Sequence, residues 1–309
     1  MGTKDESWAT AGFGESAYAA LAHGMAASEV WSLLLRAMRE RAERRTPGAL
    51  AQQWDNDRFV QLSYIDQRTL VELDSHLLAA AHEFEAVELS PLAPLGTTSS
   101  IALTTQNRVV STVRGTEVVS DPTNVLALES ARRLREDQTR IVRFCTSHRC
   151  VRAQEVPKLP GFAAHFRMFC LTTAGHERKD QAFVTDALVH HIRTHLLALD
   201  RLQQHGYRFA NRRVRLLCTE GRTPLAQRIA AAVEGVPVTI EPLDKEYYDG
   251  LRFMIGAHTR DGEDIPVIDG GAFDWLHKLA ANRKLVFVAS AIGSQLAAYL
   301  YQVPGEKNA

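Results

Sequence analysis

Neither sign of charge dominates this chain: Lys and Arg together number 36, Asp and Glu also 36, so the formal net charge at pH 7 is zero. That balance excludes global steering toward nucleic acid or an anionic membrane, and any polyanion contact must be local. Long apolar runs are missing as well, since each is interrupted well before the roughly 18 residues of a membrane span. The early residues lack the basic start, apolar stretch and small-residue cleavage site of a signal peptide. Cysteine is scarce: Cys145, Cys150, Cys170 and Cys218 are the only four in 309 residues. They sit in or beside apolar runs, which predicts reduced thiols and a cytoplasmic protein. No repeat or low-complexity tract stands out. With 45% hydrophobic residues the chain has the material for a core, as one large domain or two small ones.

What is present is a series of long helices alternating with strand pairs. Residues 1–55 are predicted to form a helical extension, with "ASEVWSLLLRAMRERAERR" as its main helix, ending at "TPG". Residues 56–309 are expected to form the main domain. Leu70, Leu73, Leu77, Ala81 and Phe84 recur at helical spacing, and "FEAVELSP" alternates as a strand stopped by proline. "NRVVSTVRGTEVVSD" reads as two short strands around Gly115. "DPTNVLALESARRLRED" opens with an N-cap at Asp121, has Pro122 in its first turn and ends basic. "RIVRFCTSHRCVRAQ" and "HFRMFCLTTAG" read as an antiparallel pair joined by a long loop, and "DQAFVTDALVHHIRTHLLALDRLQQHG" as one amphipathic helix. Further strands follow, with one more helix among them. Strands arriving as hairpins between helices predict an α+β fold, a mostly antiparallel sheet flanked by helices, over regular βαβ alternation.

This order of parts resembles the catalytic domain of class II aminoacyl-tRNA synthetases. A helix runs into a proline-ended strand, a strand-loop-strand carries an arginine, and a terminal strand leads through Gly293 into a helix. "YYDGLRF" resembles the tyrosine-pair strand of histidyl-tRNA synthetases, and "DGGAFDWL" their double-glycine turn; the regulatory subunits of ATP phosphoribosyltransferase are similar. The resemblance covers about residues 65–300. It implies that Arg152 holds the α-phosphate of ATP, a bidentate task suited to guanidinium, with Gln154 at the position of the family's glutamate. Gly270 and Gly271 would bring backbone close to a ligand. Tyr247, Tyr248, Phe273 and Trp275 would supply an aromatic wall, Gly293 and Gln295 would contribute from the last motif, and Asp274 would bond within its own turn.

Two cations of that family are replaced. Leu296 stands where the last motif has an arginine, and Leu243 where an activating arginine precedes the tyrosine pair. "HFRMFCLTTAG" also lacks the glutamine and glutamate that hold histidine. Loss of one preorganised phosphate ligand typically removes several kcal/mol of transition-state stabilisation, so histidine charging and a tRNA partner are not expected, and no anticodon-binding domain is expected after residue 309. Cys145, His148, Cys150, His165 and Cys170 lack a standard zinc spacing, and strand parity puts Cys145 and Cys150 on opposite faces, so buried thiols and no metal are expected. His191 and His195 read as a solvated helix face.

Two functions remain open. One is a non-charging paralogue that binds a small ligand, an amino acid or a nucleotide, and acts as a regulatory or scaffold subunit beside a partner enzyme. The other is an adenylate-forming ligase using ATP and Mg to activate a carboxylic or amino acid for a non-tRNA acceptor, with Arg114, Arg167 or Lys245 recruited. A homodimer through residues 65–95 is expected, without membrane attachment.

Overall fold

Local capping explains where the helices begin. In the computed structural model, which describes residues 12–156, 162–244 and 247–303, a short helix α1 (Glu15–Ala19) continues into a π turn and precedes α2 (Ala27–Glu43) and α3 (Pro47–Asn56). Thr46 caps α3 by accepting from Ala49 N, with Pro47 in the first turn. Of α1–α3 only Val30 is buried. The extension meets the rest of the chain at Gly115, whose φ of +69° needs glycine and where a Cβ would stand 3.1 Å from Trp31 Nε1.

Asp66 then caps α4 (Gln67–Ala80), which leads to β1 (Glu85–Ala86) and β2 (Leu92–Pro94). Of the strand expected over "FEAVELSP", only Glu85–Ala86 is strand, and β2 starts just past its end in a different sheet. β1 runs parallel to β4 (Val142–Val151), and after Ser90 and Pro91 the chain pairs β2 with β3 (Thr116–Val118). Proline has no N–H for a continuous ladder, which separates the two. Only one strand follows Gly115; before it, Ser111 makes an isolated bridge to Glu117. The short α5 (Thr97–Ile101) lies between β2 and β3.

Asp121 caps α6 (Pro122–Glu136), its carboxylate accepting from Thr123 N at 3.0 Å and Thr123 Oγ1 at 2.7 Å. β4 (Val142–Val151) and β5 (His165–His176) form the expected antiparallel pair, followed by α7 (Ala182–Gln203). The rest comprises β6 (Ala210–Cys218), α8 (Thr223–Ala232), β7 (Val238–Pro242), β8 (Leu251–His258), β9 (Asp264–Phe273), α9 (Trp275–Ala280), β10 (Leu285–Ile292) and α10 (Ser294–Tyr301). Among the described residues the main sheet has eight strands in the order β1-β4-β5-β10-β9-β8-β6-β7. It is antiparallel except where β1 joins β4 and β7 joins β6 at the two edges.

Strand alternation sorts the core onto two faces. Cys145, Leu171, Val288, Ile268 and Phe253 face the rear, where α4, α7, α8 and α10 cover them. Phe144, Ala174, Phe287, Ala289 and Phe273 face the front, under α6 and α9. Leu70, Leu73 and Leu77, the stripe expected to meet a second copy, are buried in this chain's own rear layer. His191 and His195 correct the expected solvated face: both are buried, and α7 turns them onto the sheet. Ser290 Oγ lies 2.8 Å from His191 Nδ1 and 2.8 Å from His195 Nε2, and Thr173 Oγ1 lies 2.9 Å from His191 Nε2. Burial pushes both imidazoles down, His195 to about 3.

Candidate functional site

The front layer does not cover the whole sheet. Between the N-terminal turn of α6, the strand floor and the turn before β8 lies a cavity of about 510 Å³. Its floor is low because Ala289 and Ala291 present only methyl groups to it, and Gly270 lies in it through its backbone. A smaller chamber of about 250 Å³ adjoins it, sharing Arg152, Gln154, Phe166, Gly293 and Leu296 and adding the apolar Phe162, Ala163 and Val156.

Arg152 stands where the two chambers meet. Its Nε donates to Ser120 O at 3.0 Å, its terminal nitrogen is 3.5 Å from Asp121 Oδ2, and its guanidinium lies 5.0 Å from the centre of the Phe166 ring. The charge of this arginine is thus already matched by a carboxylate of the same cavity. The second anion of the lining, Asp269, takes two bonds from Arg252 at 2.8 and 2.7 Å and the Tyr248 hydroxyl at 2.9 Å. Burial first, and the Asp269 carboxylate second, push the Tyr248 phenol well above its ordinary range. Among the described residues, the cavity lining holds two cations, Arg108 and Arg152, against two anions, Asp121 and Asp269.

Glu117 shapes the opposite wall. It is buried and accepts from Gly96 N at 2.7 Å, Thr98 N at 2.9 Å, Thr98 Oγ1 at 2.8 Å and Gln106 Nε2 at 2.9 Å. These bonds hold Thr98 at the cavity, where its hydroxyl also meets Ser120 Oγ at 2.9 Å.

The structure brings most of the residues singled out in the sequence together. Arg152, Gln154, Tyr247, Tyr248, Gly270, Phe273 and Gly293 all line the larger cavity. Tyr247 is 42% exposed and packs edge-on against Tyr248, Phe273 and Trp275. The tyrosine pair occupies the turn ahead of β8, and the double glycine lies within β9 instead of in a turn. Each glycine makes room for the protein itself. A Cβ at Gly270 would stand 2.4 Å from Ser290 Cβ, and one at Gly271 2.4 Å from Leu251 O and 2.5 Å from Tyr248 Cδ1. Gly271 therefore carries Tyr248 and does not itself line the cavity.

Other residues are placed elsewhere. Gln295 is 4% exposed in α10 and lines neither chamber. Asp274 forms an ion pair with Lys278 at 2.8 Å instead of bonding within its own turn. Arg167 is held at 2.8 Å by Asp74 of α4, and Arg114 lies exposed in the turn before β3; neither lines the cavity. Lys245 lies outside the described residues. Cys145 belongs to the rear core, whereas Cys150 and Cys170 cluster with Met168. Burial raises all three thiols, Cys145 to about 11. Among the described residues no three His, Cys, Asp or Glu side chains gather to hold a metal. None of the described helices is long and apolar enough to cross a membrane.

Among the site residues that escaped the sequence argument are Asp121 as partner of Arg152, Asp269, Arg252 and Asn124. Asp269 sits just before the double glycine and Arg252 inside the tyrosine motif, so their neighbours marked them. Asn124 had no signal beyond its place in the first turn of α6.

No family model matches the sequence, and none of the curated proteins does. Solved structures do. The ATP phosphoribosyltransferase regulatory subunit/histidyl-tRNA synthetase from Bacillus halodurans superimposes with a TM-score of 0.58 at 11% identity, over 78% of this chain and 81% of that one. The fold is class II synthetase-like. A histidine–tRNA ligase subunit from Alicyclobacillus acidocaldarius gives 0.56 at 14% identity, over 82% of this chain and 96% of that one. S. aureus histidyl-tRNA synthetase gives 0.55 at 10% identity, over 78% and 68%. At these identities the class II synthetase-like likeness concerns the fold, and function must be argued from the site.

Proposed function

We propose that this chain is a non-charging synthetase-like protein that binds a small molecule in the front cavity and serves as a regulatory or scaffold subunit for a partner enzyme. The observation that carries the proposal is the neutralised arginine: Arg152 is engaged by Ser120 O and Asp121, and Leu296 lines the cavity beside it. A triphosphate carries several negative charges and needs an excess of cations and donors. This lining balances its arginines with aspartates and would set Asp121 against the incoming phosphate. The Bacillus halodurans neighbour, described in part as a regulatory subunit, supports a subunit role. A reduced, cytoplasmic setting suits four free cysteines. The homodimer, with its own stripe buried, would use the exposed Val71, Leu78, Leu92 and Leu95.

The ligase alternative draws on one fact, that the Arg152 side chain still borders both chambers. Calorimetry with Mg·ATP and a carboxylate-dependent pyrophosphate exchange assay separate the two. The regulatory proposal expects no exchange with any proteinogenic amino acid, no acylation of total tRNA, and weak or absent ATP binding. Exchange that falls about a hundredfold in Arg152→Ala, as loss of one preorganised donor does, would establish the ligase instead.

A further inference from the structure

On the rear of the sheet a second cavity, of about 610 Å³, lies between α7, the end of α4 and β4. Arg143 of β4 lines it. Strand alternation puts this arginine on the same side as Cys145, under α7. The residue is half-buried, and its Nε is enclosed by the protein without a partner. The two terminal nitrogens are not enclosed, and among the described residues nothing accepts a bond from them. The charge of Arg143 is nevertheless felt across the cleft: burial holds the His190 imidazole below its ordinary pKa, Glu83 opposes this, and Arg143 deepens it. The other arginine and both carboxylates of the described lining are committed. Glu83 meets His190 Nε2 at 2.9 Å, Asp186 pairs with Arg178, and Arg193 donates to Ala232 O at 2.8 Å. A guanidinium half out of water without a counter-ion is uncommon, because charges leave water only when they are paired.

We propose that this rear cleft is a second ligand site, for a small monocarboxylate with an apolar body, and that Arg143 grips the carboxylate through its two terminal nitrogens. The site is separate from the front cavity and does not depend on what binds there. One unpaired guanidinium calls for one anionic group, and a carboxylate matches its fork with two parallel bonds. A ligand of higher charge would find no second free arginine in the described lining and would stand against Glu83 and Asp186. A cation would face Arg143, and a neutral amide would bring it one acceptor and a competing donor. The apolar body follows from the rest of the lining. Ala80, Val189, Leu197 and Ala232 put hydrocarbon in the same cleft as Arg143, and Leu197 is 42% exposed. Covering that surface favours an acid that carries an aryl or alkyl group over a bare anion.

Benzoate is the probe, with benzamide as its neutral twin, acetate as the acid without a body and inorganic phosphate as the anion of higher charge. Each is titrated into the full-length protein at constant ionic strength, and the His190 imidazole resonance, assigned by its loss in His190→Gln, reports occupancy of the cleft. Benzoate should bind at least about tenfold more tightly than benzamide, acetate or phosphate, as a charge-assisted bidentate pair on an apolar seat requires, and should shift the His190 resonance. Arg143→Leu should bring benzoate down to the level of benzamide. Arg143→Lys, which keeps the charge and loses the fork, should fall between. Arg143→Leu removes an unpaired charge from a half-buried position, so its melting temperature should hold or rise; should it fold poorly, Arg143→Lys carries the comparison. Equal affinity for benzoate and benzamide, tighter binding of phosphate, benzoate affinity that ignores both substitutions, or no benzoate binding overturns the inference. So does benzoate binding that is lost in Arg152→Ala and kept in Arg143→Leu, since that puts the acid in the front cavity.

Discussion

The two faces of the central sheet treat polar atoms differently. On the rear, under α7, the hydroxyl of Ser290 is enclosed by His191 and His195, and His191 is further tied to Thr173. On the front, Asn124 and Ser130 of α6 are buried without partners. Thr146 and Thr172, on the strand positions that alternate to the same side as Phe144 and Ala174, are likewise unpaired. The rear thus ties Thr173, His191, Ser290 and His195 into one chain, with His195 Nδ1 left unpaired at its end, while on the front the unpaired groups stand singly.

Acidification should separate the faces most. His191 and His195 are neutral in the folded protein, with His195 held near 3 against an ordinary 6.5. The unfolded chain takes up those protons as pH falls below about 6.5, so the contribution of each is complete above that pH and declines by about 1.4 kcal/mol per pH unit toward the folded value. Urea midpoints between pH 7.5 and 4.5 should fall steeply, and less steeply in His195→Gln. Equal slopes in the two proteins would show that the rear imidazoles are not buried neutral.

The adjacent glycines of β9 offer a sharper contrast, because one faces each side. Gly270→Ala drives a Cβ against Ser290 and Ala289 O, and Gly271→Ala drives one against Leu251 O and Tyr248. Both should cost about 3 kcal/mol of stability, the upper end for overpacking. Only Gly271→Ala should also change the quenching of aromatic fluorescence by small probes in the front cavity. If Gly270→Ala proved neutral in thermal melts, the close packing of β9 on β10 would be wrong.

The smallest effect is expected at Asp269→Asn, which retains shape but removes the charge that Arg252 grips. Asp269 is 43% exposed on its side chain, so solvent screens the pair and the loss should be about 1 kcal/mol. The substitution should nevertheless free the Tyr248 hydroxyl and lower its ionisation pH in a spectroscopic titration, since Asp269 is the second cause, after burial, of its upward shift.

Elements with local signals were legible in the sequence. The Asp121–Pro122 start of α6, the β4–β5 hairpin and the length of α7 follow from caps and periodicity. The burial of His191 and His195, and the position of Gly270 and Gly271 in mid-strand, depend on what lies across the sheet, which no window of sequence reports. The same limit applies to the site. Arg152 and the aromatic cluster were recognisable as a pattern. That Asp121 neutralises Arg152, and that Gln295 turns away from the cavity, are facts of approach between segments far apart in the chain. Asn124 was invisible because its distinction is the absence of a partner.

Asp121 has two duties divided between its oxygens. Oδ1 receives Thr123 N and Oγ1 and starts α6, while Oδ2 faces Arg152. Asparagine caps helices about as well as aspartate, so a change at this one position from carboxylate to amide would keep the helix start and release the arginine. Under the proposed function, that single conservative step would change the charge an incoming phosphate meets, silent to folding and exposed to selection only through the ligand.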